Sequence, residues 1–461
     1  LFNKGILPVA VATAMFGAGV VSAADFIVWN DATIDNQTGG NSTTNYLVND
    51  NVTLSTNSSM SVFYGTIDGH RISGNAAGAG MIVIGGNLTM HGNIGATNAT
   101  GNFTISEWNS LTLASNVSTF NSDNMTLSDN TVLNFGNVTS GYNRGSSETL
   151  TFASNITMGS NSTINVGNGT TLNGNIYGAG TLNVLGNFTS TGSIGAAQVD
   201  GADFITSGLE QINISKGNTF TLNNNATATR MNINGTVTVA GNITAAVTMG
   251  ADGILNLNNE SGDDNAAKVV GAIQSYVAGT AQGTLNINGT FTTQGAIGQG
   301  GKGLAAINLS NSTWANGFTT TFAHNVNATT IQIGTATTQN NATLQITAGG
   351  TSAGVNIAVT GNIIGGGNAT SIDNAAGGIF LVSGNATVNG SIGTSDNILA
   401  AIQIEDGTTL TISGADRNIY ANNITMKANN NLLADNATLA FNGTGTTTVN
   451  GVIAGTVGGG E

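Results

Sequence analysis

One ten-residue block occurs four times in the chain: GNLTMHGNIG from Gly86, GNFTSTGSIG from Gly186, GTFTTQGAIG from Gly289 and GNATVNGSIG from Gly384. The starts lie about 100 residues apart, the signature of stacked supersecondary units. An apolar lead precedes each block: GAGMIVIG at 78–85, GAGTLNVL at 178–185, QGTLNIN at 282–288 and GIFLVS at 378–383. Related strands follow it, EQINISKGNTFTL from Glu210, AAINLSNSTWANGFTTTF from Ala305 and AAIQIEDGTTLTI from Ala400. A further element recurs from Asn225, Asn327 and Arg417. The stretch VNGVIAGTVGGG from Val449 resembles the opening of another unit, so the array is expected to be cut short at its C-terminal end.

Within each unit apolar side chains alternate with Asn, Thr and Ser, as in Thr181-Leu182-Asn183-Val184-Leu185, Gly253-Ile254-Leu255-Asn256-Leu257-Asn258 and Thr284-Leu285-Asn286-Ile287-Asn288. A period of two puts one set on the inner face of a strand and the other on the outer face. The strands are short and end at Gly or Asn, residues that tolerate the left-handed backbone of sharp corners. A single short strand cannot bury its apolar face alone. Stacking each strand on a copy one coil later closes a continuous core. The fold class expected is therefore all-β, a right-handed parallel β-helix (β-solenoid) of Gly/Asn/Thr-rich coils about 20–25 residues long, with rungs about 4.8 Å apart and a rod of order 85–100 Å. Asn and Thr are expected to ladder at its corners. A row of antiparallel sandwiches is the rival, and the coil-to-coil similarity and lack of linkers count against it.

Composition narrows the function classes. Charged residues make up 7% of the chain, the net charge is −14, and there is no cysteine. A basic nucleic-acid binder, a disulfide scaffold and a Cys-ligated zinc site are excluded. The single proline is Pro8, so nothing downstream interrupts a β ladder for want of an N–H.

Residues 1–23 are expected to be a signal peptide, truncated at its start: an apolar run from Ile6 to Val21 ends in Val21-Ser22-Ala23, small residues that suit a signal peptidase. A membrane anchor is the alternative, for which the run is short. Residues 24–77 are expected to form an N-terminal cap with degenerate first coils. Residues 78–461 form the repeat array, about four units of about 100 residues.

No catalytic, cofactor-binding or metal-ligating residue is nominated, and no cofactor is expected. His70, His91 and His324 lie far apart, and His91 has Thr191, Gln294 and Asn389 as its repeat equivalents, an exchangeable outward position. Glu260, Asp263 and Asp264 form the tightest acidic cluster; a solvated loop is the reading preferred over a calcium site. Gly365–Gly367 and Gly458–Gly460 lack the Lys-Ser/Thr of a phosphate loop. Asp416-Arg417 is an isolated pair, and the carboxylate cluster of a polysaccharide-cleaving β-helix is not found. Thr319–Thr321 and Thr446–Thr448 read as local runs, not as the regular outward array that an ice or crystal surface requires. About thirty Asn-x-Ser/Thr triplets occur, among them those at Asn87, Asn187, Asn242 and Asn436. They match the glycosylation acceptor pattern, but are also what results if Asn closes a corner and Thr takes the next outward strand position.

The stretch Gly-Asn-Ile-x-Gly-Ala-Gly-Thr-Leu-Asn-Val at 174–184, the Gly-Ser-Ile-Gly blocks, Leu-Ala-Ala-Ile at 399–402 and Asn-Ala-Thr-Leu at 341–344 and 436–439 resemble autotransporter passenger domains. The style is that of the large repeat-containing outer-membrane surface antigens of Rickettsia and related alphaproteobacteria, over about residues 80–461. The resemblance implies export by the signal peptide, passage across the outer membrane through a β-barrel C-terminal to this chain, and display on the cell surface of a Gram-negative bacterium or release from it. It implies a non-catalytic adhesin whose partner is a host-cell or matrix surface. The alternative is a structural surface-layer or filament protein packed against neighbouring copies, and a polysaccharide-active enzyme on the same scaffold is a third reading. No nucleic-acid partner is expected.

Overall fold

The computed structural model describes residues 81–457 apart from 91, 97, 136–148, 197, 201–202, 206–207, 259–266, 311–316, 335–341, 348–355, 367–377 and 429–435, together with the backbone of seven short strands between Asp25 and Gly74. The expected signal peptide lies outside the described residues, as do His70, His91 and the acidic cluster at 260–264. Among the described residues there are strands and no helix. The chain forms two compact units, Leu1–Thr229 and Arg230–Glu461.

In the first unit the strands run in three parallel ladders, visited in turn. The first joins 82–84, 103–105, 125–127, 156–158 and 176–178. The second joins 88–90, 111–113, 133–135, 164–166, 182–184 and 212–214. The third joins 150–152, 170–172, 188–190 and 220–222, with Phe120 stacked on Phe152 before them. Chain that returns to the same ladder after three strands, always in the same direction, has the pairing pattern of stacked coils. One short hairpin, Gln198–Asp200 with Asp203–Ile205, is antiparallel.

The second unit repeats the scheme on its own. One ladder joins 254–258, 284–288, 306–309, 330–333 and 362–365. Another joins 291–293, 320–322, 344–346, 380–382, 402–404 and 424–426. A third joins 357–360, 386–388, 410–412 and 439–441.

Alternation decides which face each side chain takes. Leu182 and Val184 are fully buried and Asn183 between them is half-buried on the outside. Register partners then stack inside: Phe120 lies flat on Phe152 with centroids 4.4 Å apart, and Phe188 on Phe220 at 5.2 Å. Phe103 and Phe135 add edge and tilted contacts at 5.0 and 4.7 Å. Each such side chain contributes about 1.5–3 kcal/mol by leaving water, and the ring pairs add about 0.5–1.5 kcal/mol. The core carries a few polar groups. Ser122 and Ser154 hydroxyls satisfy each other at 2.9 Å, whereas the buried Oγ1 atoms of Thr100 and Thr320 have no partner. Glycine is required where coils press together: at Gly178, with φ +89°, a Cβ would overlap the Met158 carbonyl one rung below.

The coil is less regular than the expected 20–25 residues. Register partners are 18 residues apart between Asn165 and Asn183 and 36 apart between Ile346 and Val382. The longer of these two intervals includes residues 348–355 and 367–377, which lie outside the described residues. The long repeat is also not a whole number of coils. In the first unit the strand of the block at Gly86 (88–90) sits in the second ladder, and that of the block at Gly186 (188–190) sits in the third. In the second unit 291–293 and 386–389 again occupy different ladders. Homologous segments are thus turned onto the next face rather than stacked on one another.

Candidate functional site

The outward positions form columns. On the second ladder of the first unit Asn134 Nδ2 donates to Thr112 Oγ1 at 3.1 Å, and Asn165, Asn183 and Asn213 each donate to the Oδ1 of the preceding Asn at 2.8 Å. In the second unit Asn256, Asn286 and Asn308 repeat the arrangement on Thr238, and Asn288 with Ser310 forms a parallel column on Asn258. A carboxamide has one donor and one acceptor side, so a column of Asn in register satisfies itself from rung to rung. These ladders run mid-strand, not at the corners where the sequence places them.

Corner asparagines work differently: their Oδ1 accepts a backbone N–H of the next coil. Asn87 accepts from Ser110, Asn187 from Thr219 and Asn385 from Thr409, each at 2.9 Å, and Asn175 from Ser193 at 2.7 Å. Asn87, Asn187 and Asn385 each begin an Asn-x-Thr triplet whose middle residue is buried and whose Thr faces outward. This is the geometric role expected for the motif.

Threonine forms a column as well. Thr119, Thr151, Thr171, Thr189 and Thr221 are register partners on five successive rungs of the third ladder. This column lies away from the runs Thr319–Thr321 and Thr446–Thr448 that the sequence draws attention to. Thr319–Thr321 is split by the pleat, with Thr320 inward and its neighbours outward, while matching threonines come together from positions 18 to 32 residues apart.

The ionic residues singled out from sequence are spread over the surface or engaged structurally. His324 is exposed at a corner. Asp416 Oδ1 accepts the Thr446 N–H at 3.2 Å, and Arg417 donates to Asn389 Oδ1 at 3.1 Å and to the Ser413 carbonyl at 3.3 Å. Lys427 pairs with Glu405 at 2.7 Å. Among the described residues no group of three His, Asp or Glu side chains could hold a metal ion, and no helix is long and apolar enough to cross a membrane.

One feature escaped the sequence reading. Trp108 is 74% exposed and has φ +64°. Among the described residues four non-glycine residues have positive φ, and the other three are Asn130, Asn161 and Asp416, types that tolerate this region. The signal was present in the repeats: ISEWNSLTL, ISKGNTFTL and IEDGTTLTI align Trp108 with Gly217 and Gly407, both at positive φ.

No protein-family model, curated protein or solved structure matches this chain.

Proposed function

We propose that the chain is an exported, cell-surface passenger, a right-handed parallel β-helix that acts by adhesion to host cells or surfaces and carries out no catalysis. The observation that carries this reading is the outward surface: columns of Asn repeat from rung to rung in each unit, and a column of Thr in the first. A surface that offers one hydrogen-bonding group many times at constant spacing gains by multivalency, because weak contacts to a repetitive partner accumulate. The autotransporter-like repeats and the expected signal peptide support export, with the barrel that completes such a protein lying C-terminal to this chain. Binding of the purified chain, from Ala24 onward, to host cells and matrix proteins at micromolar concentration tests adhesion; no binding to either refutes it.

A second reading, a surface-layer or filament protein, is favoured by the low charge of the chain, 7% charged residues, together with outward faces that repeat from rung to rung, which suit lateral packing of copies. A regular lattice seen by electron microscopy of the cell surface supports that reading, and isolated projections support adhesion.

A further inference from the structure

The turn 106–109 connects the first ladder to the second, and two turns of the same length stack on it. Register pairs flank all three: Ile105, Leu127 and Met158 before the turn, and Ser110, Val132 and Thr163 after it. Trp108, Asn130 and Asn161 therefore hold the same apex slot on three successive rungs, and all have φ between 57° and 64°. The turn is braced from within. Asn109 N–H donates to the Ser106 carbonyl at 3.3 Å, and Asn109 Nδ2 donates to the carbonyls of Ser106 and Glu107 at 3.2 and 2.9 Å. The apex slot calls for Gly or Asn, yet the first rung places there a tryptophan whose ring is left in water. Packing does not offset the backbone strain, and strain of this kind is characteristic of contact sites.

The surroundings select the partner. Glu107, which precedes Trp108 in the turn, is exposed, and the corresponding residue one rung on is Asp129, also exposed, with its Oδ1 engaged by the Ser160 N–H at 2.7 Å. An exposed indole on a stack of turns that carries two exposed carboxylates at equivalent positions of successive rungs, on a chain of net charge −14, attracts a cation. Tryptophan is the best ring for a cation–π contact, and a guanidinium can stack on it while pairing with a carboxylate. A neutral sugar can stack on the ring and donate hydroxyls to the carboxylates, but only a cation adds charge pairing to the stacking.

We infer that Trp108, with Glu107 and Asp129, forms a contact site for an arginine- or lysine-bearing segment of a partner protein. The site is independent of the adhesive reading, which cell binding by the unaltered chain tests separately. The experiment is titration of a hexa-arginine peptide into the chain from Ala24 onward and into its Trp108→Asn and Glu107→Gln variants. Trp108→Asn leaves every charge in place and installs the residue that the next two rungs use, so the fold is retained and its melting temperature equals or exceeds that of the parent. The peptide is expected to bind Trp108→Asn about threefold more weakly, to bind Glu107→Gln more weakly as well, and to lose affinity as salt rises. Equal affinity for the parent and Trp108→Asn overturns the inference, because general attraction to a negative surface then accounts for all of the binding. Binding of neutral glycans that depends on Trp108, without binding of the peptide, overturns it in favour of a saccharide partner.

Discussion

Asn183 is the third carboxamide in a column of four, and the column makes a quantitative demand. Four hydrogen bonds link Thr112, Asn134, Asn165, Asn183 and Asn213. Asn183→Ala breaks two of them, to Asn165 and to Asn213. Asn165→Ala also breaks two, to Asn134 and to Asn183. The double variant breaks three, because the 165–183 bond is common to both. At about 1 kcal/mol per bond each single substitution costs ~2 kcal/mol and the pair ~3 kcal/mol, a coupling of ~1 kcal/mol. Thr181→Ala, on the same strand and facing the same way, lies outside the column and controls for the loss of a polar β-former. Urea unfolding of the four variants, followed by circular dichroism, reads the costs as shifts in midpoint at constant slope. Hydrogen exchange at the amides of 181–184 localises them. If Asn183→Ala costs no more than Thr181→Ala, or the two Asn substitutions add to within about 0.3 kcal/mol, the column is a decoration that contributes nothing to the stack.

Other substitutions probe other layers of the structure. Thr320 is fully buried, its register partners are Phe291 and Leu344, and its hydroxyl has no partner, so Thr320→Val should raise the urea midpoint by the equivalent of about 1–2 kcal/mol. Phe152→Ala removes a ring that touches Phe120 and Phe135 and should cost about 3–5 kcal/mol in the same measurement. Gly178→Ala and Gly217→Ala both force an L side chain into positive φ, but only the first drives a Cβ into a carbonyl, since nothing lies within 4 Å of the second. Thermal melting should show Gly217→Ala losing about 1–2 kcal/mol and Gly178→Ala losing clearly more. Lys427→Ala breaks an ion pair whose lysine is half exposed, and should change stability by less than about 0.5 kcal/mol at moderate salt.

Much of this architecture is legible in the residues. Strict alternation assigns the inward set on most strands, and the expected Leu182, Val184, Leu255, Leu257, Leu285 and Ile287 are all buried. Ile254 departs from the alternation, and the pleat leaves it half-buried on the outer face while its neighbour Leu255 goes in. The roles of Asn87, Asn187 and Asn385 also follow from the triplet they begin. What stays hidden is long-range register. Register partners are 18 residues apart in one coil and 36 in another, and lengthening a loop costs little, so sequence distance does not reveal which outward residues meet. The Thr119-to-Thr221 column is invisible for this reason, and so is the turning of each long repeat onto the next face. Thr320 is missed because a Thr run reads as surface until the pleat assigns the middle residue to the core. Trp108 is missed because an aromatic residue in a turn carries no local mark of strain, and only alignment with Gly217 and Gly407 exposes it.

The claim on which everything else rests is that parallel coils stack in the stated register. The chain contains no cysteine, so paired substitutions report without background. Asn165→Cys with Asn183→Cys places two thiols on outward register partners, about 4.8 Å apart at the backbone, within the span of a disulfide. Asn165→Cys with Thr181→Cys keeps both on the same face but offset by two residues along the strand, about 8 Å apart and beyond that span. Under mild oxidation of the folded chain, the first pair should form an intramolecular disulfide nearly completely and the second should not. Equal cross-linking of the two, or cross-linking of the second alone, contradicts the register and with it the stacked-coil account.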